Sequence, residues 1–368
     1  MLAIDRRLIQ NFEWPLFGLV LLLALIGVLN LISAAPETTD WIPEAAERQF
    51  YFLALGLICL VVSLLPDYRS LERLAVPIYI LCVGLLVVVL VMGPVIHGSQ
   101  RWIVAGPLRI QPSEPVKLAI VILFARLLAR QGAISELGIM ELLIPTALFG
   151  LPAVLVLRQP DLGTSMLLAL LVGTFLLVAR VRLSTLVWLG AAGVAGAGGS
   201  WFFYLHDYQK ERLLTFVSPE RDPLGAAYHA IQSQIAVGSG GFLGKGFLRG
   251  PQSQLDFVPE QQTDFVFSVL AEEWGFVGAA FVMLLYLGLI LRGLMIARAS
   301  KDLFGAYLAL GVSALFFWAA SINIGMVLGV LPVVGVPLPL LSYGGSSLLT
   351  CLIGTGLLMN ISMRRYVF

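Results

Sequence analysis

Charge is the scarcest commodity in this sequence. Lysine, arginine, aspartate and glutamate together make up 12% of 368 residues, where a soluble domain carries roughly a quarter. So few charges cannot cover a globular surface, which excludes a water-soluble chain. The charges that exist balance to a net +1 and are scattered, without the basic stripe that a nucleic-acid partner needs. Cysteine is nearly missing. Cys59, Cys82 and Cys351 lie inside apolar runs, as small core residues and not as a disulfide or a metal set. The three histidines are too far apart in sequence for a ligand motif. There is no low-complexity tail and no internal repeat of the transporter kind. A cleavable signal is not apparent either. The first 13 residues are polar, and the apolar run after them is long enough to be a retained first helix.

What is there is apolar length. Hydrophobic residues make up 59% of the chain, in uninterrupted runs such as 15–34 and 142–157. Runs near 20 residues match the hydrocarbon thickness of a bilayer. The expected fold is an all-α polytopic membrane protein, a single membrane domain over 1–368. About ten spans are predicted, near 14–34, 49–66, 74–92, 112–129, 142–157, 163–179, 183–205, 265–291, 303–328 and 341–362. Trp14, Trp102 and the aromatic run 201–204 fall near span ends, where interfacial rings belong. The small residues of 190–199 permit close helix contact, or else make a loosely packed helix.

Arginine and lysine set the orientation. With the N terminus in the cytoplasm, the short inner segments carry Arg6, Arg7, Arg69, Arg73, Arg126, Arg130, Arg180, Arg182, Arg292, Arg298, Lys301, Arg364 and Arg365. The short outer segments carry only Arg48, Arg101, Arg109 and Arg158. The positive-inside rule favours this arrangement, with both termini cytoplasmic. The first outer loop, with Glu37, Asp40, Glu44 and Glu47, is a solvated acidic loop. Residues 206–264 then form a large extracytoplasmic loop between spans seven and eight.

Ionisable residues at membrane depth are costly and therefore informative. Glu114 and Lys117 are three residues apart and share a helix face. They are either a local ion pair, or Lys117 reaches inward toward an anion or a catalytic carboxylate. Asp264 begins span eight, as a helix-start carboxylate or as a functional one. Of the adjacent Glu272 and Glu273, about 100° apart around a helix, at least one should face a polar cavity or a partner. The segment 238–250, GSGGFLGKGFLRG, lacks the Walker A spacing. It is a backbone nest for phosphate or a plain flexible loop. Arg101, Arg109, Arg158, Lys210, Arg212, Lys245 and Arg249 give the outer face cations suited to a diphosphate at headgroup level. Asp161 is expected to cap a helix. Between Asn323 and Ser347, three prolines and repeated glycines break any helix. Irregular backbone at this depth must be buried or line a cavity, so a re-entrant turn beside the outer site is expected, with Ser342 and Gly344 as candidate substrate contacts.

The stretch 323–347 resembles the signature of the SEDS family (shape, elongation, division and sporulation proteins). GSQRW (98–102), QPSEPVK (111–117), RQPDLGTS (158–165), HDYQKER (206–212), DPLGAAYHAIQSQIAVGSGG (222–241) and PEQQTDFVFSVLAEE (259–273) agree with it in order. The GPQSQLDFVPE form of the loop (250–260) and the short N terminus look like the elongation (RodA) type more than the division (FtsW) type. The resemblance implies a peptidoglycan glycosyltransferase that polymerises lipid II on the outer face of the bacterial cytoplasmic (inner) membrane. It implies a class B penicillin-binding protein as partner, and elongation-complex proteins such as MreC and MreD. It puts the family's essential aspartate on Asp264 and its charged partner on Lys117, with Glu114 nearby. Arg101 and Trp102 match a further motif. Gln261-Gln262 stands where a histidine often precedes the threonine.

The implied reaction needs a base for a sugar hydroxyl, cations for a leaving diphosphate and a groove for lipid. Asp264 is the candidate base, with Lys117, Glu114, Arg101, Trp102, Lys210, Arg212, Lys245, Ser342 and Gly344 as candidate substrate contacts. The acidic cluster is a candidate for a divalent cation, Mg or Mn, bridging the diphosphate. A lipid II flippase and a non-catalytic scaffold are the rival readings. A flippase should carry its site near the midplane, whereas the candidates here gather on one face. The apolar surfaces of spans eight and nine are the expected seat of the partner's membrane helix. The orientation has a direct test by cysteine labelling. Positions 69, 130, 182 and 298 should be shielded from an impermeant external reagent and position 245 should react, whereas external labelling at 182 would invert the topology.

Overall fold

The computed structural model describes residues 10–35, 43–95, 99–105, 108–132, 136–205, 207–218 and 227–365. The acidic loop residues Glu37 and Asp40, and Arg6, Arg7 and His206, lie outside the described residues. The chain begins with α1 (Trp14–Ser33), α2 (Glu44–Leu64) and α3 (Arg69–Met92). A hairpin of β1 (Ile103–Ala105) and β2 (Leu108–Ile110) follows, antiparallel with Val104 opposite Arg109. Then come α4 (Ser113–Gln131), α5 (Ile139–Arg158), α6 (Leu162–Val178) and α7 (Leu183–Phe203). The large loop is not plain coil: it contains α8 (Asp207–Val217), α9 (Tyr228–Ser239) and the single turn α10 (Pro251–Gln254). Finally come α11 (Val266–Ala299), α12 (Leu303–Val327) and α13 (Gly345–Arg364).

Helices therefore stand at each of the predicted spans. Eight of them, α1, α2, α3, α5, α7, α11, α12 and α13, are long and apolar enough to cross a membrane. The α6 helix has only 17 residues, and α4 carries Glu114, Lys117, Arg126 and Arg130. The charges of α4 are tolerated because it runs inside the protein, packed on α3 and α12, with Val116 through Ala125 all buried. With α12 and α13 it forms the inner layer of the bundle. The α7 helix is the opposite case. Only Thr185 is buried along it, and its glycines meet open space. The small residues of 190–199 do not make the close helix contact that their size permits.

Two breaks shape the face that carries the large loop. The first is in α11, where Gly275 has φ 64° and ψ −163°. A helix interrupted there loses hydrogen bonds on both sides of the break. The glycine-rich loop supplies them. Lys245 N donates to Glu272 O (3.1 Å), Gly246 N to Glu273 O (3.0 Å), and Phe276 N and Val277 N donate back to Gly241 O (2.9 Å) and Phe242 O (3.2 Å). The two glutamate side chains hold the same loop. Glu272 accepts from Gln252 N, Ser253 N and Lys245 Nζ at 3.0, 3.1 and 2.9 Å. Glu273 accepts from Leu248 N at 3.0 Å and from the Ser33 hydroxyl of α1. The 238–250 segment is thus neither a phosphate nest nor a flexible loop; it is a backbone splint. The second break is the re-entrant segment between α12 and α13, predicted from its prolines. The last helix starts at Gly345, not at 341, because 341–344 belong to that turn.

At the other end, Glu13 joins the start of α1 to α11 and α13. It accepts from the Ser362 hydroxyl at 2.5 Å and pairs with Arg292 and Arg365. Burial pushes the Glu13 carboxyl upward, but these partners outweigh it and the net shift is downward.

Gly275 tests the first break. Alanine at a positive φ is strained by about 1–3 kcal/mol, and its Cβ would also meet backbone of Gly244 and Leu243. Gly275→Ala should lower the thermal midpoint in detergent and expose 238–254 to protease. Gly198→Ala, placed in open space, should cause no loss. Equal midpoints for the two variants would refute the splint.

Candidate active site

Asp264 lies where the loop enters α11, and the backbone around it hangs from other elements. Tyr343 N donates to Gln262 O at 2.9 Å. The Ser342 hydroxyl donates to Thr263 O at 2.5 Å. Asn323 Nδ2, from α12, donates to Asp264 O and to Val336 O, each at 2.8 Å. Asn30 Nδ2, from α1, donates to Val266 O at 2.8 Å. Gln49 of α2 closes the ring, donating to Ser342 O at 3.0 Å and accepting from Gly344 N at 3.2 Å. Irregular backbone has no ladder of its own, so buried side chains satisfy it. Ser342 and Gly344 therefore work inside the protein: the Ser342 hydroxyl also accepts from Leu338 N at 2.8 Å. Opposite the carboxylate stands Gly335, at φ 72°. A Cβ there would come within 3.3 Å of Asp264 Oδ2.

The surroundings of Asp264 determine its proton affinity. Burial penalises the charged form, Glu260 and Asp161 add to it, and Arg212 and Arg101 oppose it. The net effect raises the carboxyl to about 6. Its oxygens accept no hydrogen bond from the described residues. Arg101 is itself fixed: Nε donates to Gln159 O at 2.9 Å, Nη2 donates to Pro160 O, and Nη1 lies 4.0 Å from Asp161. Asp161 caps α6, as predicted, accepting from Thr164 N at 3.1 Å and from its hydroxyl at 2.9 Å. Gln209 of α8 donates to the same Pro160 carbonyl at 3.2 Å, which ties the helix bearing Arg212 to this corner.

Other sequence candidates fall elsewhere. Lys117 does not reach a catalytic carboxylate; it bonds Glu114 at 2.7 Å, with both side chains buried. Lys245 is held at the Gly275 break by Glu272 and by Ser239 (2.7 Å). Lys210 lies 3.8 Å from Asp207 on α8. Trp102 is half-buried at the start of the hairpin, while Arg109, Arg158 and Arg249 are exposed. The structure thus gathers Arg101, Arg212, Asp161 and Glu260 about Asp264. Among the described residues, no three His, Cys, Asp or Glu side chains are grouped to hold a metal ion. One residue was missed. His229 of α9 lies with its ring centroid 6.2 Å from that of Phe265, planes 30° apart. Burial lowers its pKa, Arg212 adds to this, and Glu260 opposes it.

Comparison with known proteins agrees with this architecture. The model of the FtsW, RodA and SpoVE family, described as cell cycle protein, matches residues 13–367. The peptidoglycan glycosyltransferase MrdB of Escherichia coli (strain K12) is 45% identical over 355 residues, covering 94% of this chain and 93% of that protein. The peptidoglycan glycosyltransferase RodA of Treponema pallidum (strain Nichols) is 33% identical over 437 residues, covering 98% and 99%. Among solved structures, a chain from a peptidoglycan synthase complex that coordinates polymerization and crosslinking superposes with a TM-score of 0.81 at 34% identity, covering 96% of this chain and 98% of that one. The rod shape determining protein RodA of Thermus thermophilus gives a TM-score of 0.71 at 31% identity, with the same coverage.

Asn323 is the tie most open to test. Asn323→Leu keeps its size but leaves two carbonyls without a donor, a cost of about 1–3 kcal/mol each when buried. The variant should melt lower and exchange its amide hydrogens faster over 262–268. Unchanged exchange there would show that other bonds hold this segment.

Proposed function

The chain belongs to the FtsW, RodA and SpoVE family, and from that premise we infer how it acts. It is a peptidoglycan glycosyltransferase of the elongation type, a multi-pass membrane protein. Its substrate is lipid II, used at the outer face of the cytoplasmic membrane, with both chain termini inside. The observation that supports the mechanism is a carboxylate at the entry to α11 that accepts no hydrogen bond from the described residues, raised to about 6 by burial against the opposing charges of Arg212 and Arg101.

Glycan extension joins the 4-hydroxyl of one lipid-linked disaccharide to the anomeric carbon of another. The new C–O bond forms as the bond to the diphosphate oxygen breaks, and polyprenyl diphosphate leaves with the bonding electrons. Asp264 takes the hydroxyl proton. A carboxylate at its ordinary pKa is a feeble base, and partial desolvation strengthens it. Arg101 and Arg212 meet the charge that develops on the diphosphate, where bidentate guanidinium contacts suit phosphate oxygens. The Glu114–Lys117 pair stands beside Cys351 of α13 and takes up substrate only by opening. A divalent cation would have to be held chiefly by the diphosphate, since the described acidic residues do not form a complete set of ligands. No step of this mechanism passes through it.

The partner is a class B penicillin-binding protein, with MreC and MreD in the same assembly. Its single membrane helix is assigned to α11, where Phe276, Phe281, Leu284, Leu287 and Leu291 are exposed. The expectation of a shared surface on spans eight and nine needs correction. Leu308, Ala309, Val312, Leu315 and Phe316 of α12 are buried in the bundle, and Phe317 alone of this stretch is strongly exposed.

Asp264→Asn keeps size and shape but removes the base. Lipid II polymerisation by the purified variant should fall about 10²- to 10⁴-fold, with partner co-purification intact. Because the base must be ionised, wild-type activity should rise with pH through about 6 and level off above it. Near-normal polymerisation by well-folded Asp264→Asn would remove Asp264 from the mechanism. Absence of polymer from wild-type protein with purified lipid II would favour the flippase or scaffold instead.

A further inference from the structure

The α9 helix is anchored before it reaches the site. Ser233, fully buried, donates its hydroxyl to Val327 O at the end of α12 at 3.1 Å. Ala236, on the same face, is buried as well, and α9 packs along α11. His229 lies four residues before Ser233 and shares that face. Its position is therefore set by a buried anchor. The ring it contacts belongs to Phe265, the residue after Asp264. Arg212 of α8 and Glu260 of the loop act on both His229 and Asp264. Arg101 and Asp161, from the hairpin's edge and α6, act on Asp264 as well. Imidazole and carboxylate thus occupy one electrostatic neighbourhood, brought together from α9 and the start of α11.

We propose that His229 is a further residue of the active site, a neutral imidazole that orients the acceptor sugar beside Asp264 through a hydrogen bond. The proposal rests on the reading of Asp264 as the base. A carboxylate only accepts hydrogen bonds, whereas a neutral imidazole offers one donor and one acceptor. While one sugar hydroxyl hands its proton to Asp264, the imidazole accepts from a neighbouring hydroxyl of the same sugar and fixes its orientation, a bond lost when the ring is protonated. Burial and Arg212 keep His229 uncharged at neutral pH, against the pull of Glu260. On acidification both His229 and Asp264 take up a proton; protonation of Asp264 silences the site and protonation of His229 slows it. The acid side of the rate profile is then governed by two protons.

The test compares His229→Phe, His229→Gln and Asp264→Asn in the full chain, assayed with purified lipid II. Phenylalanine keeps the ring contact with Phe265 and removes both nitrogens. It should leave the melting midpoint and partner co-purification unchanged while kcat falls about tenfold, the scale of one hydrogen bond, with little change in KM. Glutamine restores a donor and an acceptor without titrating near neutrality. It should recover kcat to within about threefold, and its acid limb should fall about tenfold per pH unit, against a steeper limb in the wild type. Wild-type kcat in His229→Phe, or an acid limb of wild-type steepness in His229→Gln, would overturn the proposal. Should His229→Phe not fold, the profile of His229→Gln decides alone. Activity retained by Asp264→Asn removes the base and this proposal together. Inactive Asp264→Asn beside a normal His229→Phe removes only the role of His229.

Discussion

Every unusual feature of this protein follows from one requirement: a peptide group inside an apolar bundle must find a hydrogen-bond partner. Continuous helices meet it by themselves. The chain breaks two of them on the face that carries the large loop, at Gly275 and between Val327 and Gly345, and each break frees backbone groups. At Gly275 the partner is another stretch of backbone, the 241–246 segment. At the second break the partners are side-chain amides and a hydroxyl from Asn323, Gln49 and Ser342. The broken segments are consequently held as firmly as helices, and they present Asp264 at a defined place.

The same requirement explains why so many polar residues in the site region are engaged within the protein. Glu272 and Lys245 have the right types for anion chemistry, yet Glu272 is fully buried and bonded to two backbone amides as well as to Lys245. Removing either partner of such a pair strands a buried charge. Their job is to fasten the loop. The arginines differ in kind. Arg101 is fastened chiefly by carbonyls, which fix its direction, and it meets the Asp161 carboxylate only at 4.0 Å.

The spans were legible because apolar length is written directly in sequence, and the re-entrant turn because prolines cannot continue a helix. The break in α11 was not legible. A glycine within an apolar run is commonly tolerated in membrane helices, and nothing local distinguishes Gly275 from Gly278 or Gly288. What marks it is the approach of residues 241–246, a contact that no local pattern encodes. The same limit hid His229. The sequence separates it too far from the other two histidines for a ligand motif, although its spacing from Ser233 and Ala236 on one helix face ties it to the packed side of α9. Glu114 and Lys117 were left open between a local pair and a longer reach, and the three-residue spacing that permitted the pair also predicted it.

Asp264 stands apart from the other acidic groups by what it lacks. Glu13, Glu114, Asp161, Glu272 and Glu273 are all buried, and each accepts at least one hydrogen bond from the protein, within its own helix for Glu114 and Asp161 and from a distant segment for the others. Glu260, more exposed, accepts from the Thr263 hydroxyl at 3.1 Å. The Asp264 side chain accepts none from the described residues, although its own carbonyl is held by Asn323. A stabilising role would reverse that pattern, with the carboxylate bonded and its backbone left to the helix. Here the backbone is fixed and the carboxylate is left for a visitor, with burial raising its proton affinity. Stability alone gives no reason to bury an unbonded carboxylate, because its desolvation is then uncompensated. The base role proposed for Asp264 would give one, since an incoming O–H would supply the missing donor.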